Sequence, residues 1–144
     1  MESLAIVVED LPEPLSQSQK NALAEEKNQY YREYLKKMTP QDIAPEVLDT
    51  LQALQQAGIP MAIGSSSKNA RFILERTGLT PWFGVVVDGT DITHSKPHPE
   101  VFLTAAKDLG FPPIRCLVVE DADAGVQAAH AGGMDCAAIG DAAN

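Results

Sequence analysis

From residue 45 onward, short apolar runs alternate with helical segments of about ten residues, a rhythm that few folds accommodate. Pro60-Met-Ala-Ile63, Val85-Val-Val87, Arg115 to Val119 and Cys136 to Ile139 read as strands. Four helical segments alternate with them, one before the first strand and three between strands. One starts at Pro45, carries Val47, Leu48, Leu51 and Leu54, and stops at Gly58. The second runs from Asn69 to Thr77, with Phe72 and Ile73 inward and Gly78 as its stop. The third spans Glu100 to Leu109 before Gly110, and the last spans Ala124 to Ala131 with Asp123 as N-cap. Apolar strands joined by helices imply an α/β fold with a parallel sheet and helices on both faces.

The front of the chain is built differently. Ser16 with Gln19 three residues on is a capping-box signature, and Leu15 before it suits a hydrophobic staple. The helix expected from Gln17 to Met38 carries Leu23, Tyr30, Tyr31, Tyr34, Leu35 and Met38 as an apolar stripe. Lys27 falls on that stripe, where its stem could cover apolar surface while the ammonium stays wet. Thr39-Pro40 and Ala44-Pro45 then bracket a hinge-like connection.

With 144 residues and 44% hydrophobic side chains the chain can build one core but not two complete domains. No apolar run reaches the roughly 18 residues of a membrane helix, and no secretory signal is readable. Twenty acids against eleven bases give a net charge of −9, which repels nucleic acid phosphates at long range. A small phosphorylated substrate remains compatible, because a few local lysines and helix N-termini can hold it. Cys116 and Cys136 match no metal or redox pattern and read as buried core thiols in a reducing cytosol, so a cytoplasmic protein is expected.

Ligands of open α/β sheets bind beyond the carboxyl ends of the strands. Here those ends carry Gly64-Ser65-Ser66-Ser67-Lys68-Asn69, the loop with Ser95-Lys96-Pro97, and Glu120-Asp121. Hydroxyls, ammonium groups and paired carboxylates at one edge suit phosphoryl chemistry, which needs positioning, charge neutralisation and a hard cation. Each piece also has a plainer reading. The serine run can be a strand-to-helix turn capped by Ser67, Lys96 a solvent-facing lysine, and the two acids a helix cap rather than Mg²⁺ ligands. His94 and His98 stand four apart, but Pro97 between them argues against a helix presenting both to one metal, and His130 reads as an ordinary helix residue.

In combination these residues resemble the haloacid dehalogenase superfamily of phosphotransferases, and within it the β-phosphoglucomutase group. Gly64 to Asn69 looks like its second motif, Ser95-Lys96-Pro-His-Pro-Glu-Val-Phe102 its third, and Val118-Val-Glu120-Asp121-Ala-Asp-Ala-Gly125 its fourth. The resemblance implies an α/β Rossmannoid core at 41–144 and part of a helical cap domain at 1–40. It also implies that Ser65 and Lys96 contact the transferring phosphoryl group and that Glu120 and Asp121 hold Mg²⁺. Ser66, Ser67, Lys68 and Asn69 would contact a sugar phosphate. Lys27-Asn28 matches a cap lysine that faces substrate, and Glu2-Ser3-Leu4 resembles the end of a cap motif, which adds Lys27 and Ser3 to the substrate residues.

The chain departs from the family pattern at its first motif. No Asp-x-Asp-Gly is present, and Glu9-Asp10, followed by Leu11-Pro12, is no substitute. The resemblance therefore implies part of a longer family member. Its parent activity would be Mg²⁺-dependent interconversion of β-glucose 1-phosphate and glucose 6-phosphate through an aspartyl-phosphate. This chain alone is expected to be inactive. A sugar-phosphate phosphatase is the second enzymatic reading, and a non-catalytic binding module is the reading of another class. By family analogy the absent strand lies between those at Ala62 and Leu117, so unpaired strand edges and self-association are expected.

Overall fold

The computed structural model describes residues 15–143. Ser3 and Glu9-Asp10 lie outside the described residues. The chain divides into two compact units, Met1–Met38 and Thr39–Asn144.

In the first unit, helix α1 spans Gln17–Leu35. Its capping box forms as read, with the Gln19 amide donating to Ser16 Oγ at 3.3 Å and the Ser16 amide to Gln19 Oε1 at 2.9 Å. The helix ends earlier than Met38. The Lys37 and Met38 amides donate to carbonyls only three residues back, Tyr34 and Leu35, so the last turn tightens. The apolar stripe is not an interior face among the described residues. Leu35 is buried, whereas Leu23, Tyr30, Tyr31 and Tyr34 are exposed, as is Lys27. Periodicity marks a face, and burial requires a neighbour to cover it.

The second unit follows the alternating pattern closely. Helix α2 is Pro45–Gln56, strand β1 Ala62–Gly64, helix α3 Ala70–Thr77 and strand β2 Val85–Val87. Helix α4 is Glu100–Leu109, strand β3 Leu117–Glu120, helix α5 Asp123–Ala131 and strand β4 Asp135–Ala138. Left-handed glycines stop α3 and α4, at Gly78 with φ +72° and Gly110 with φ +81°, as a C-terminal stop requires. Several ends move by one or two residues. Asn69, not Ser67, occupies the N-cap of α3, and Ala122, not Asp123, that of α5, because Asp123 is already helical. On α3 the buried residues are Ala70, Leu74 and Thr77, while Phe72 and Ile73 are half-buried.

All strand pairing is parallel, but it comes as two pairs, β1 with β2 and β3 with β4. Helix α4 packs on β1 and β2, helix α5 on β3 and β4, and the two helices touch. One core joins both pairs, formed by Val87, Val101, Phe102, Ala105, Ala106, Val118, Ala128, Ala129 and Met134. Alternation along β3 turns Val118 into that core and leaves Leu117 and Val119 on the opposite face, 64% and 62% exposed. Among the described residues no strand pairs with the outer edges of β1 and β3. Cys116 and Cys136 are free thiols that pack against the core but are only half-buried, less enclosed than expected. No helix among the described residues is long and apolar enough to cross a membrane.

Candidate active site

Parallel pairing puts the carboxyl ends of β1 and β2 side by side, and those of β3 and β4 likewise, each followed by polar residues. At the end of β3, the Lys96 ammonium donates to Glu120 Oε1, joining the loop after β2 to the strand end after β3. Neither group is open to bulk water; the side chains are 16% and 10% exposed. Glu120 Oε2 accepts from the Asp121 and Ala122 amides at 3.0 and 3.2 Å. Burial works to raise the Glu120 pKa, but the Lys96 bond and charge and the two amides outweigh it and hold the carboxyl below its usual range. The same carboxylate, after burial itself, pushes the Cys136 thiol up. Asp121 is exposed.

Close packing fixes Glu120 further. A Cβ placed on Gly125 would lie 2.1 Å from Glu120 Cδ, so only glycine admits the carboxylate against the first turn of α5. Phe102 forms the floor beneath Lys96, whose Nζ sits 4.6 Å from the ring centroid. The same ring lies against Gly64, where a Cβ would come within 2.8 Å of Phe102 Cδ1. Phe102 thus ties the end of β1, and with it the serine loop, to the Lys96–Glu120 pair.

The serine loop turns on its own hydroxyls. The Ser67 amide donates to Ser65 Oγ and the Asn69 amide to Ser67 Oγ, both at 3.1 Å. The Ser65 amide donates to the Val87 carbonyl at 2.9 Å, anchoring the loop to β2. Ser66 Oγ is buried without a hydrogen-bond partner among the described residues. Asn69 is buried at the start of α3, whereas Lys68 is exposed. Across from the loop, Gly89 lies so close that a Cβ there would meet the Ser66 carbonyl at 2.3 Å.

A charged clamp that sequence reasoning missed holds this approach together. Arg71 reaches Asp88 Oδ2 through Nη1 and Asp91 Oδ2 through Nη2, each at 2.7 Å, and donates to the Val86 carbonyl at 2.7 Å. Asp88 is buried; burial works to raise its pKa, yet Thr90, through hydroxyl and amide, and Arg71 bring it below the usual range. Asp91 is lowered by the Asp88 amide and by Arg71. Asp88-Gly-Thr-Asp91 has the composition of an Asx turn, which was the available signal; nothing in the sequence pairs Arg71 with it.

The structure therefore brings Lys96 and Glu120 into contact and sets Ser65, through Gly64 and Phe102, on the same floor. Lys27 belongs to the other unit. Two adjacent carboxylates at a strand end are hard oxygen donors of the kind that fit Mg²⁺; Asp121 is open, while Glu120 is engaged at Oε1 by Lys96 and at Oε2 by the Asp121 and Ala122 amides.

A family profile for haloacid dehalogenase-like hydrolase matches residues 4–133. A β-phosphoglucomutase of Bacillus subtilis (strain 168) is 37% identical over 123 residues, 85% of this chain and 54% of that protein. Fructose-1-phosphate phosphatase YqaB of Escherichia coli (strain K12) is 38% identical over 117 residues, 80% of this chain and 60% of the relative. A crystal structure of β-phosphoglucomutase from Clostridium difficile superposes with a TM-score of 0.89 at 34% identity, covering 99% of this chain and 65% of that one. The chain thus spans little more than half the length of these curated relatives.

Proposed function

Starting from a chain that belongs to the haloacid dehalogenase-like hydrolase family, we propose that it carries the phosphate- and metal-holding part of a phosphotransferase acting on a small phosphorylated sugar. The observation that carries this reading is the Lys96–Glu120 pair set on Phe102 beside the serine loop. Lys96 supplies a positive charge for an equatorial phosphoryl oxygen, and the Ser65 hydroxyl a donor to another. Ser66, with its buried hydroxyl lacking a partner among the described residues, and Ser67, Lys68 and Asn69 would meet the non-transferring end of the sugar phosphate. Lys27 and Ser3 are proposed as substrate residues on the resemblance of their sequence stretches alone. Glu120 and Asp121 would hold Mg²⁺, which when bound neutralises charge on the phosphoryl group.

The acceptor of the phosphoryl group is not among these residues, since the chain contains no Asp-x-Asp-Gly. The proposed parent reaction is interconversion of β-glucose 1-phosphate and glucose 6-phosphate through an aspartyl-phosphate on that motif. The test is complementation: the chain is mixed with a separate segment bearing Asp-x-Asp-Gly, β-glucose 1-phosphate and Mg²⁺. Glucose 6-phosphate formed only in the mixture, and lost with Lys96→Met, supports the mutase reading. Turnover by this chain alone would contradict the assignment of the nucleophile. The similarity to fructose-1-phosphate phosphatase favours one further reading, a sugar-phosphate phosphatase, which releases inorganic phosphate without glucose 6-phosphate. Absence of turnover in every mixture would leave a binding module.

A further inference from the structure

The loop that carries Lys96 also assembles a second set of donors. Glu100, the first residue of α4, folds its carboxylate back over the loop. Its Oε1 accepts from the Thr93 amide at 2.9 Å and the Thr93 hydroxyl at 3.0 Å, and its Oε2 from the His94 amide at 2.8 Å. His94 Nδ1 stands 2.9 Å from the same Oε2. The His98 ring stacks on that of His94 with centroids 4.6 Å apart, and its Nδ1 accepts the Glu100 amide at 3.2 Å. Pro97 does rule out a helix here, but a loop closes the two histidines on one another without one.

From this juxtaposition we propose that His94, His98 and Glu100 form a binding site for a divalent transition metal such as Zn²⁺, separate from the Glu120–Asp121 carboxylates. One donor atom from each of the three lies within 4.8 Å of the others. Ligands of one tetrahedral ion lie about 3.4 Å apart when each bond is near 2.1 Å, so His94 Nδ1 and Glu100 Oε2, now 2.9 Å apart, need separate by only about half an ångström to take one between them. His98 must then move inward, and as an exposed side chain it can turn about its terminal torsion.

The donor chemistry decides the class of ion. Two imidazoles with one carboxylate suit Zn²⁺, Ni²⁺ or Cu²⁺, whereas Mg²⁺ favours oxygen and water. The bonds from Thr93 and the His94 amide hold Glu100 in place before an ion arrives, as outer-shell bonds do at metal sites. On binding, the ion takes the place of the His94–Glu100 contact, any proton on the ligating nitrogens leaves to solvent, and no redox step is involved. A filled site fastens residues 93–100, the segment from which Lys96 projects.

The experiment titrates the full chain with Zn²⁺ in excess Mg²⁺ at neutral pH, by calorimetry and by NMR of the imidazole resonances. The expected result is one equivalent bound in the micromolar range, with ring signals of His94 and His98 shifting and that of His130, the third histidine, unmoved. Glu100→Gln is expected to weaken binding about tenfold or more, and the His94→Asn/His98→Asn double variant to abolish it. The Cys116→Ser/Cys136→Ser variant is expected to keep it. Absence of Zn²⁺ uptake, uptake undiminished in the double histidine variant, or uptake lost with the cysteines would each overturn the proposal. The NMR arm uses the unaltered chain and stands even if a variant fails to fold.

Discussion

Lys96 and Glu120 are the pair on which the site's electrostatics turn. Lys96→Met leaves a nearly buried carboxylate with only two amide donors and is expected to destabilise the second unit by roughly 2–4 kcal/mol, read by urea denaturation. The pH dependence has a definite sign. Glu120 has a folded pKa below its unfolded value, so its contribution is complete above about pH 4.3 and is lost as pH falls through the lower folded value. In Lys96→Met that acid-side loss shrinks, which denaturation midpoints across the acid range would show. Gly125→Ala drives a methyl into the Glu120 carboxylate and is expected to cost about 1–3 kcal/mol by the same measurement. At this scale the sequence was informative about chemistry and poor about partners. Lys96, Glu120 and Ser65 could be picked out as polar residues at strand ends. Phe102 entered only as the last residue of the third motif, with no role of its own, and the Arg71 clamp depends on contacts across 17 and 20 positions that no local pattern records.

Secondary structure was legible wherever punctuation was strong. Strand β2 and helix α4 fall where the pattern put them, because Val85-Val-Val87 is flanked by Gly84 and polar residues and α4 is bounded by Pro99 and Gly110. Strand β3 begins two residues later than read, because Pro113–Arg115 forms a turn of 3₁₀ helix that an apolar run does not betray. The shared error at α3 and α5 has one cause. Several serines or acids precede each helix, and choosing the cap among them depends on backbone angles. Gly110→Ala places a side chain at φ +81° and is expected to cost about 1 kcal/mol, measurable as a lowered unfolding midpoint. Ser16→Ala removes one half of the α1 capping box; a loss of helical circular dichroism equivalent to about 1 kcal/mol is expected.

For the molecule as a whole, the division of the strands into two pairs governs behaviour in solution. Exposed Leu117 and Val119 beside an edge with no partner among the described residues are expected to drive self-association, seen as a rise in apparent mass with concentration in sedimentation equilibrium. Val119→Lys places a charge on that face and should shift the distribution toward monomer. The alternating pattern made the α/β class legible, yet parallel character follows from crossover helices and says nothing of whether neighbouring pairs join. A parallel strand bonded on one side only sends the amides of alternate residues in opposite directions. In β1 the Ile63 amide faces β2 and that of Gly64 faces outward; in β3 the corresponding residues are Val118 and Val119. Deuterium uptake along these two strands should therefore stutter with a two-residue beat, slow and fast neighbours alternating within a single ribbon.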